Sequence, residues 1–295
     1  ILGYFWVNKF GVDSVIRHLF LGIVVMGIAI GVSAVFFPKL VFIGFRLRGD
    51  YIANAGAVSV LGIILILSYP VLKNRFLQLS TILLFETILI FSRTRSAYWS
   101  LLFFIVLALI KRPKVSLYRY FIFFLIVFTI TALAFGWMPV VMSWVVRDPE
   151  SIETFSDRIP LWRYVISKTL YESPWLGMGF YANRYITLTY NPGIGTSHSA
   201  FIEILSGAGI IGFSIFTAML FVLLFLSTKL FILHGKEPTA FCVVSLFTSV
   251  LFIGIVSEEM VIASPTGFVF WMLTSIIPAT IKDIQSIIGK KRRLP

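Results

Sequence analysis

Apolar runs of bilayer length recur along almost the whole chain and leave it few ways to fold. About 20 apolar residues cross a hydrocarbon core as a helix, and eight runs of that order lie at about 19–37, 52–70, 76–92, 96–110, 119–141, 199–230, 239–257 and 262–281. The fourth is short and borrows its first turn from the interface. Inside a bilayer the backbone finds no water to bond, so each run must satisfy its own N–H and C=O groups as a helix. The expected class is all-α: a polytopic helical membrane protein with about eight transmembrane helices and one large external loop containing short helices. Composition agrees, since only 13% of residues are charged and 58% are hydrophobic, whereas an average soluble domain carries about 25% charged residues. The net charge of +12 does not imply nucleic acid, because most basic residues fall at helix ends. The single cysteine, Cys242, lies inside an apolar run, which excludes a disulfide framework and a thiolate metal cluster. Residues 1–18 form an aromatic lead-in ending in Arg17 and His18, and the chain opens mid-helix at Ile1 without an initiator methionine. A fragment that has lost earlier spans is expected.

One stretch breaks the oily pattern. From Trp137 to Glu203 the chain is polar for far longer than a connector needs, with Arg147, Asp148, Glu150, Glu153, Asp157, Arg158, Arg163, Lys168, Glu172 and Arg184. Loops of that length are usually functional or disordered, and the aromatic side chains of Trp144, Phe155, Trp162, Trp175, Phe180 and Tyr181 argue against disorder. Three regions follow: N-terminal membrane helices at 1–141, a catalytic loop at 142–198, and C-terminal membrane helices with a basic tail at 199–295. With the N-terminus in the cytoplasm, 15 of the 25 Lys and Arg residues fall on the inner side, many as lysine in short clusters. That is the usual cytoplasmic signature, and it places the long loop outside. The outer set is Lys39, Arg46, Arg48, Arg93, Arg95, Arg147, Arg158, Arg163, Lys168 and Arg184. Arginine dominates it, and the guanidinium is a planar, always-charged fork suited to phosphate or carboxylate. An outer surface built for an anionic ligand explains the bias; chance at solvated helix ends is the alternative.

His198 is the one histidine on that side, because His18 and His234 fall inside. It stands in Gly195-Thr196-Ser197-His198-Ser199-Ala200, where the loop hands over to a span. Helix N-termini favour Ser and Thr caps and attract anions, so the ring can be a capping spectator or a base. Imidazole titrates near neutral pH and suits proton removal from a hydroxyl. Arg93 and Arg95, alternating with Ser92, Thr94 and Ser96 at the outer junction of two spans, read either as snorkelling side chains or as an anion clamp. Glu86 lies two helical turns before Arg93 and reads as an intramembrane partner for a basic residue or as a polar contact between helices. Within the loop, Ile159, Trp162, Val165, Ile166, Thr169 and Leu170 repeat at helical spacing behind Asp157-Arg158. Ser173-Pro174 stops that helix, and Gly177-Met178-Gly179 predicts a tight turn with close backbone approach. Gly207, Gly209 and Gly212 form a small-residue stripe that permits close helix packing. Glu258 and Glu259 are expected at a solvated outer turn. No His/Cys/Asp grouping has metal-ligand spacing.

In this order the motifs resemble the O-antigen ligase and O-antigen polymerase superfamily of bacterial envelope glycosyltransferases. The resemblance rests on Arg46-Leu47-Arg48-Gly49-Asp50-Tyr51-Ile52-Ala53-Asn54 before a span, and on Thr94-Arg95-Ser96-Ala97 opening another. It continues through Arg158 with Trp162, then Pro174, Gly177 and Gly179, and ends at His198, Gly207 and Gly209 with three closing spans. One departure is Ser199, where the family often has Asn. Family chains carry more spans, with the large loop ahead of the last three, so this one looks like a family chain without its first spans. The resemblance implies transfer of a glycan from a polyprenyl diphosphate donor to an acceptor hydroxyl, with no metal or other cofactor. The partners it implies are that donor, a glycolipid or glycan acceptor and membrane lipids, with no nucleic acid. The implied location is the bacterial inner membrane with a periplasmic active face. On this reading His198 is the base, Arg95 and Arg158 hold the diphosphate, and Arg93, Arg46, Arg48, Arg163 and Arg184 are further anion contacts. Ligation to lipid A-core is expected; polymerisation of repeat units or transfer to protein serines shares the same donor chemistry. A transporter or flippase is the rival class. Transporters gather ionisable groups near the midplane, whereas Glu86 is the one convincing mid-span acid in this chain.

Overall fold

The computed structural model describes residues 2–38, 42–43, 46–47, 55–92, 94–111, 158–179, 182–191, 196–255, 260 and 264–291. The described residues form ten helices: α1 (Leu2–Phe10), α2 (Val12–Phe36), α3 (Ala55–Ser68), α4 (Arg75–Ser92), α5 (Arg95–Lys111), α6 (Arg158–Glu172), α7 (Ala182–Tyr190), α8 (Ala200–His234), α9 (Pro238–Ile255) and α10 (Pro265–Lys291). Two-residue strands β1 (Phe42–Ile43) and β2 (Arg46–Leu47) pair antiparallel, too short to alter an all-α class. Local chemistry sets several of the boundaries. Pro238 and Pro265 each open a helix, the position where a missing N–H leaves no bond unmade. Pro70 stands just beyond α3, and proline disfavours helical backbone in the residue before it.

Five helices are long and apolar enough to cross a membrane: α2, α4, α8, α9 and the Thr266–Gln285 part of α10. Helix α3 and the Ser96–Lys111 part of α5 are apolar but shorter. The protein is thus a multi-pass helical membrane protein. Seven of the eight apolar runs read from the sequence coincide with these helices, and the run at 119–141 lies outside the described residues. So do Arg147, Asp148, Glu150, Glu153, Asp157, Glu258 and Glu259.

The chain divides into two compact units, residues 1–107 with 217–295 and residues 108–216. In the first, α3 is the central element. All its residues from Ala55 to Ser68 are buried, and it packs on α2, α4, α9 and α10. A helix apolar on every side has to be enclosed by others in this way. Its close packing is mediated by one aromatic ring. Phe85 of α4 is fully buried and faces glycines on two neighbouring helices. A Cβ built at Gly62 of α3 would lie 2.3 Å from the Phe85 ring, and one at Gly27 of α2 would lie 2.5 Å from it. Lipid tails are as apolar as leucine, so helices associate through van der Waals fit, and small residues allow that fit. Helices α5 and α9 meet through paired rings, Phe103 with Phe252 at 5.8 Å and Phe104 with Phe241 at 5.9 Å, and through Ser100 Oγ donating to the Ser249 carbonyl at 3.3 Å. Cys242 is buried in α9, as a small core filler.

Glu86 is buried beside Phe85, and both its carboxylate oxygens lack a hydrogen-bond partner among the described residues. Arg93, two helical turns further along, lies outside the described residues.

The ring between two glycines yields a stability prediction. Gly62→Val should destabilise the protein by about 1–3 kcal/mol through overpacking, read as a lower unfolding temperature in detergent. Phe85→Leu should recover part of that loss in the Gly62→Val background while destabilising on its own. Additive losses in the double variant would show that the two positions do not share one space.

Candidate active site

The second unit is built from α6, α7 and the first turns of α8. Pro160 is tolerated in α6 because it falls in the first turn, where its missing N–H has no helical partner to lose. Leu161 and Val165 of α6 and Ile186 of α7 form a small buried core, with Tyr164, Met178 and Ile202 packed against it. The buried stripe of α6 is therefore Leu161, Val165 and Thr169, at a spacing of four. Ile159 and Leu170, read from the sequence as part of that stripe, are exposed. Trp162, also in that repeat, is half-buried, and its indole Nε1 donates to the Ser197 carbonyl at 2.7 Å.

Below α6 the chain makes a turn that merges with α8 through a backbone exchange. Gly209 leaves helical geometry with φ 63° and ψ −166°. Four hydrogen bonds join the two segments: Met178 N to Ser206 O at 2.7 Å, Gly179 N to Gly207 O at 3.0 Å, Ile210 N to Pro174 O at 2.8 Å, and Ile211 N to Trp175 O at 3.2 Å. In an unbroken helix the N–H groups of residues 210 and 211 would bond the carbonyls of 206 and 207. Those two rungs are opened, and the turn 174–179 supplies both missing acceptors and both missing donors. A helix break at the edge of an apolar environment needs such replacement partners for its freed backbone groups.

The exchange requires glycine. Gly177 has φ 72°, and a Cβ there would lie 2.4 Å from Gly209 N; a Cβ on Gly209 would lie 2.4 Å from Trp175 O. The close approach expected of Gly177-Met178-Gly179 is present. The partner differs from the helix–helix packing that the Gly207, Gly209 and Gly212 stripe suggested, because Gly209 packs on a turn and not on a second helix.

His198 sits between this unit's three helical pieces. Its φ is 53°, the one non-glycine residue with positive φ among those described, and its Nδ1 lies 3.0 Å from Thr196 Oγ1. Ser197 before it is fully buried and Ser199 after it nearly so. Ser199 occupies the N-cap of α8, its carbonyl accepting the first helical bond from Glu203 N at 3.0 Å. The side-chain amide of Asn183, from α7, donates to Ser197 Oγ at 2.7 Å and also to Glu203 Oε2. Ser197 Oγ in turn donates to the Ser199 carbonyl at 3.4 Å. Two members of this network, Asn183 and Ser197, carried no sequence signal beyond being polar. Glu203 carried one: it is an acid in the first turn of a long apolar helix, where burial demands a partner.

The remaining candidates are distributed as follows. Arg158 is the first residue of α6, half-buried and one turn before Trp162 on the same face. Arg163 and Arg184 lie on exposed positions of α6 and α7. Lys168 lies near both the Tyr164 and Tyr185 rings, at 6.0 Å from each, and pairs with Glu172 at 3.8 Å. In the other unit, Arg95 opens α5 and Arg46 lies in β2. Arg93 and Arg48 lie outside the described residues.

The described residues thus give a multi-pass helical membrane protein whose polar segment presents one buckled histidine. Residues 79–217 match the family described as O-Antigen ligase. That segment holds Arg93, Arg95, Arg158, Arg163, Arg184 and His198, together with the whole of the exchanged turn, whereas Arg46 and Arg48 precede it. No curated protein matches the chain.

The backbone exchange makes a graded prediction. Gly177→Ala and Gly209→Ala combine a strained φ with a clash against main-chain atoms, and each should lower the unfolding temperature sharply or prevent accumulation. Gly179→Ala meets nothing within 4 Å at φ 100°, so it should cost only the backbone strain, about 1–3 kcal/mol. Equal effects at all three positions would mean that the close approach contributes nothing.

Proposed function

We propose that the protein transfers a glycan from a polyprenyl (undecaprenyl) diphosphate carrier to an acceptor hydroxyl, as an O-antigen ligase acting on lipid A-core at the periplasmic face of the inner membrane. The observation that carries this reading is the bond from Trp162 to the Ser197 carbonyl. It ties the helix that begins with Arg158 to the residue next to His198, within the segment that matches the ligase family.

The chemistry follows from what such residues do. The acceptor oxygen attacks the anomeric carbon of the first sugar, and the bond from that carbon to the diphosphate oxygen breaks with inversion. The electron pair leaves with the diphosphate, and the acceptor proton passes to His198. Thr196 supports this role: when Nδ1–H donates to Thr196 Oγ1, Nε2 is the basic nitrogen. The departing diphosphate needs positive charge aimed at it as its own charge grows. Guanidinium groups supply it without a divalent ion, Arg95 and Arg158 first, with Arg93, Arg46, Arg48, Arg163 and Arg184 as further contacts. Polymerisation of repeat units is the runner-up, with identical donor chemistry and a different acceptor.

Removing a proton-transfer base costs about 10²–10⁴-fold in rate. His198→Ala should therefore reduce transfer from undecaprenyl-diphosphate-linked glycan to lipid A-core by that order while the protein accumulates and unfolds normally. Wild-type rates in the variant would end the base assignment. In cells lacking the native activity, surface glycan without long chains on lipid A, but with polymer retained on the carrier lipid, supports ligation. Single-repeat capping supports polymerisation.

A further inference from the structure

The network beneath His198 has a single hub. Asn183 is completely buried and uses both amide hydrogens, one on Ser197 Oγ and one on Glu203 Oε2. Ser197 is also completely buried, and it receives Trp162 on its carbonyl. Two elements thus converge on the residue preceding the histidine, α6 through Trp162 and α7 through Asn183, and Asn183 in turn holds Glu203 of α8. The histidine itself is held at φ 53°, a conformation that a non-glycine residue keeps only when its surroundings over-determine it.

The cost of this arrangement is informative. Asn183 Oδ1 is buried with no hydrogen-bond partner among the described residues, which is unfavourable. An apolar side chain would fill the same space without that penalty, so packing does not explain an asparagine here. Its two donors do. They are the means by which α7 fixes both sides of the histidine: Ser197 directly before it, and Glu203 in the turn directly after it. A carboxylate at the same position would repel Glu203, and a shorter hydroxyl would reach one partner only.

We propose that Asn183 is a positioning residue for His198, clamping Ser197 and Glu203 so that the imidazole stands in one orientation toward the acceptor. This rests on the reading of His198 as the base. It predicts an effect on the chemical step and not on donor binding, since Asn183 has no exposed surface with which to touch a substrate.

The test uses the full chain reconstituted in proteoliposomes, with undecaprenyl-diphosphate-linked O-antigen repeat as donor and lipid A-core as acceptor. Asn183→Ala should lower kcat by about 10- to 100-fold, the scale of a misplaced catalytic group, with KM for the donor unchanged. Glu203→Gln keeps a carbonyl to accept from the amide and should retain most of kcat; Glu203→Leu should reproduce the loss. Equal losses in the two Glu203 variants, a wild-type kcat in Asn183→Ala, or a fall in KM and unfolding temperature that accounts for the lost rate would overturn the proposal. If Asn183→Ala does not accumulate, Ser197→Ala removes one arm of the clamp and should give a smaller fall in kcat alone; no fall overturns it. His198→Ala separates the two levels. Wild-type transfer by that variant, or none by the wild-type protein on these probes, refutes the base reading itself, whereas an inactive His198→Ala beside a fully active Asn183→Ala refutes only the clamp.

Discussion

The backbone exchange at Gly209 is the constraint on which the second unit depends. A helix that breaks inside or beside a membrane leaves two donors and two acceptors with nothing to bond. Here the turn 174–179 returns all four, each within 3.2 Å. The direct result is local geometry, but the indirect one matters more. Helix α6 ends at Glu172 and runs into that turn, so fixing the turn on α8 also fixes where α6 ends. With α6 held at its C-terminal end by main-chain bonds and near its N-terminal end by the Trp162 indole, the stretch 196–199 has a rigid wall to rest against.

A left-handed histidine becomes intelligible in this setting. Its conformation is unfavourable in isolation, and the neighbouring serines are buried with their hydroxyl or carbonyl groups spoken for. The strain is thus distributed over several hydrogen bonds contributed by three helices. Polar groups enclosed in a low-dielectric setting reinforce one another when fully matched. In this cluster the Asn183 carbonyl is the unmatched exception. Such a cluster suits a side chain that has to act in one pose and accept a proton there.

Much of this was legible in the sequence, and for identifiable reasons. Apolar length alone located seven helices, because a bilayer imposes a minimum on any span. Glycine spacing at 177 and 179 announced the tight turn, since φ values of 72° and 100° admit little else. The partner of that turn was not legible. A glycine stripe at 207, 209 and 212 fits helix packing and helix breakage equally well, and only long-range hydrogen bonds distinguish them. The helical repeat of α6 was legible, but its buried stripe of Leu161, Val165 and Thr169 was not, and the Trp162 N–H is committed to a carbonyl 35 positions away. Asn183 was invisible because its meaning lies wholly in two partners distant along the chain. Arg158 and His198 stand out in the sequence because charge and an ionisable ring are rare in so oily a chain.

The exchanged rungs also bear on how this segment can diverge. Every one of the four bonds uses main-chain atoms, so the exposed side chains of Trp175 and Leu176 are free to drift without disturbing them. Chain length enjoys no such freedom. Adding or deleting one residue between Pro174 and Gly179 would slide donors against donors along the break, so the turn should tolerate spelling changes far better than insertions or deletions.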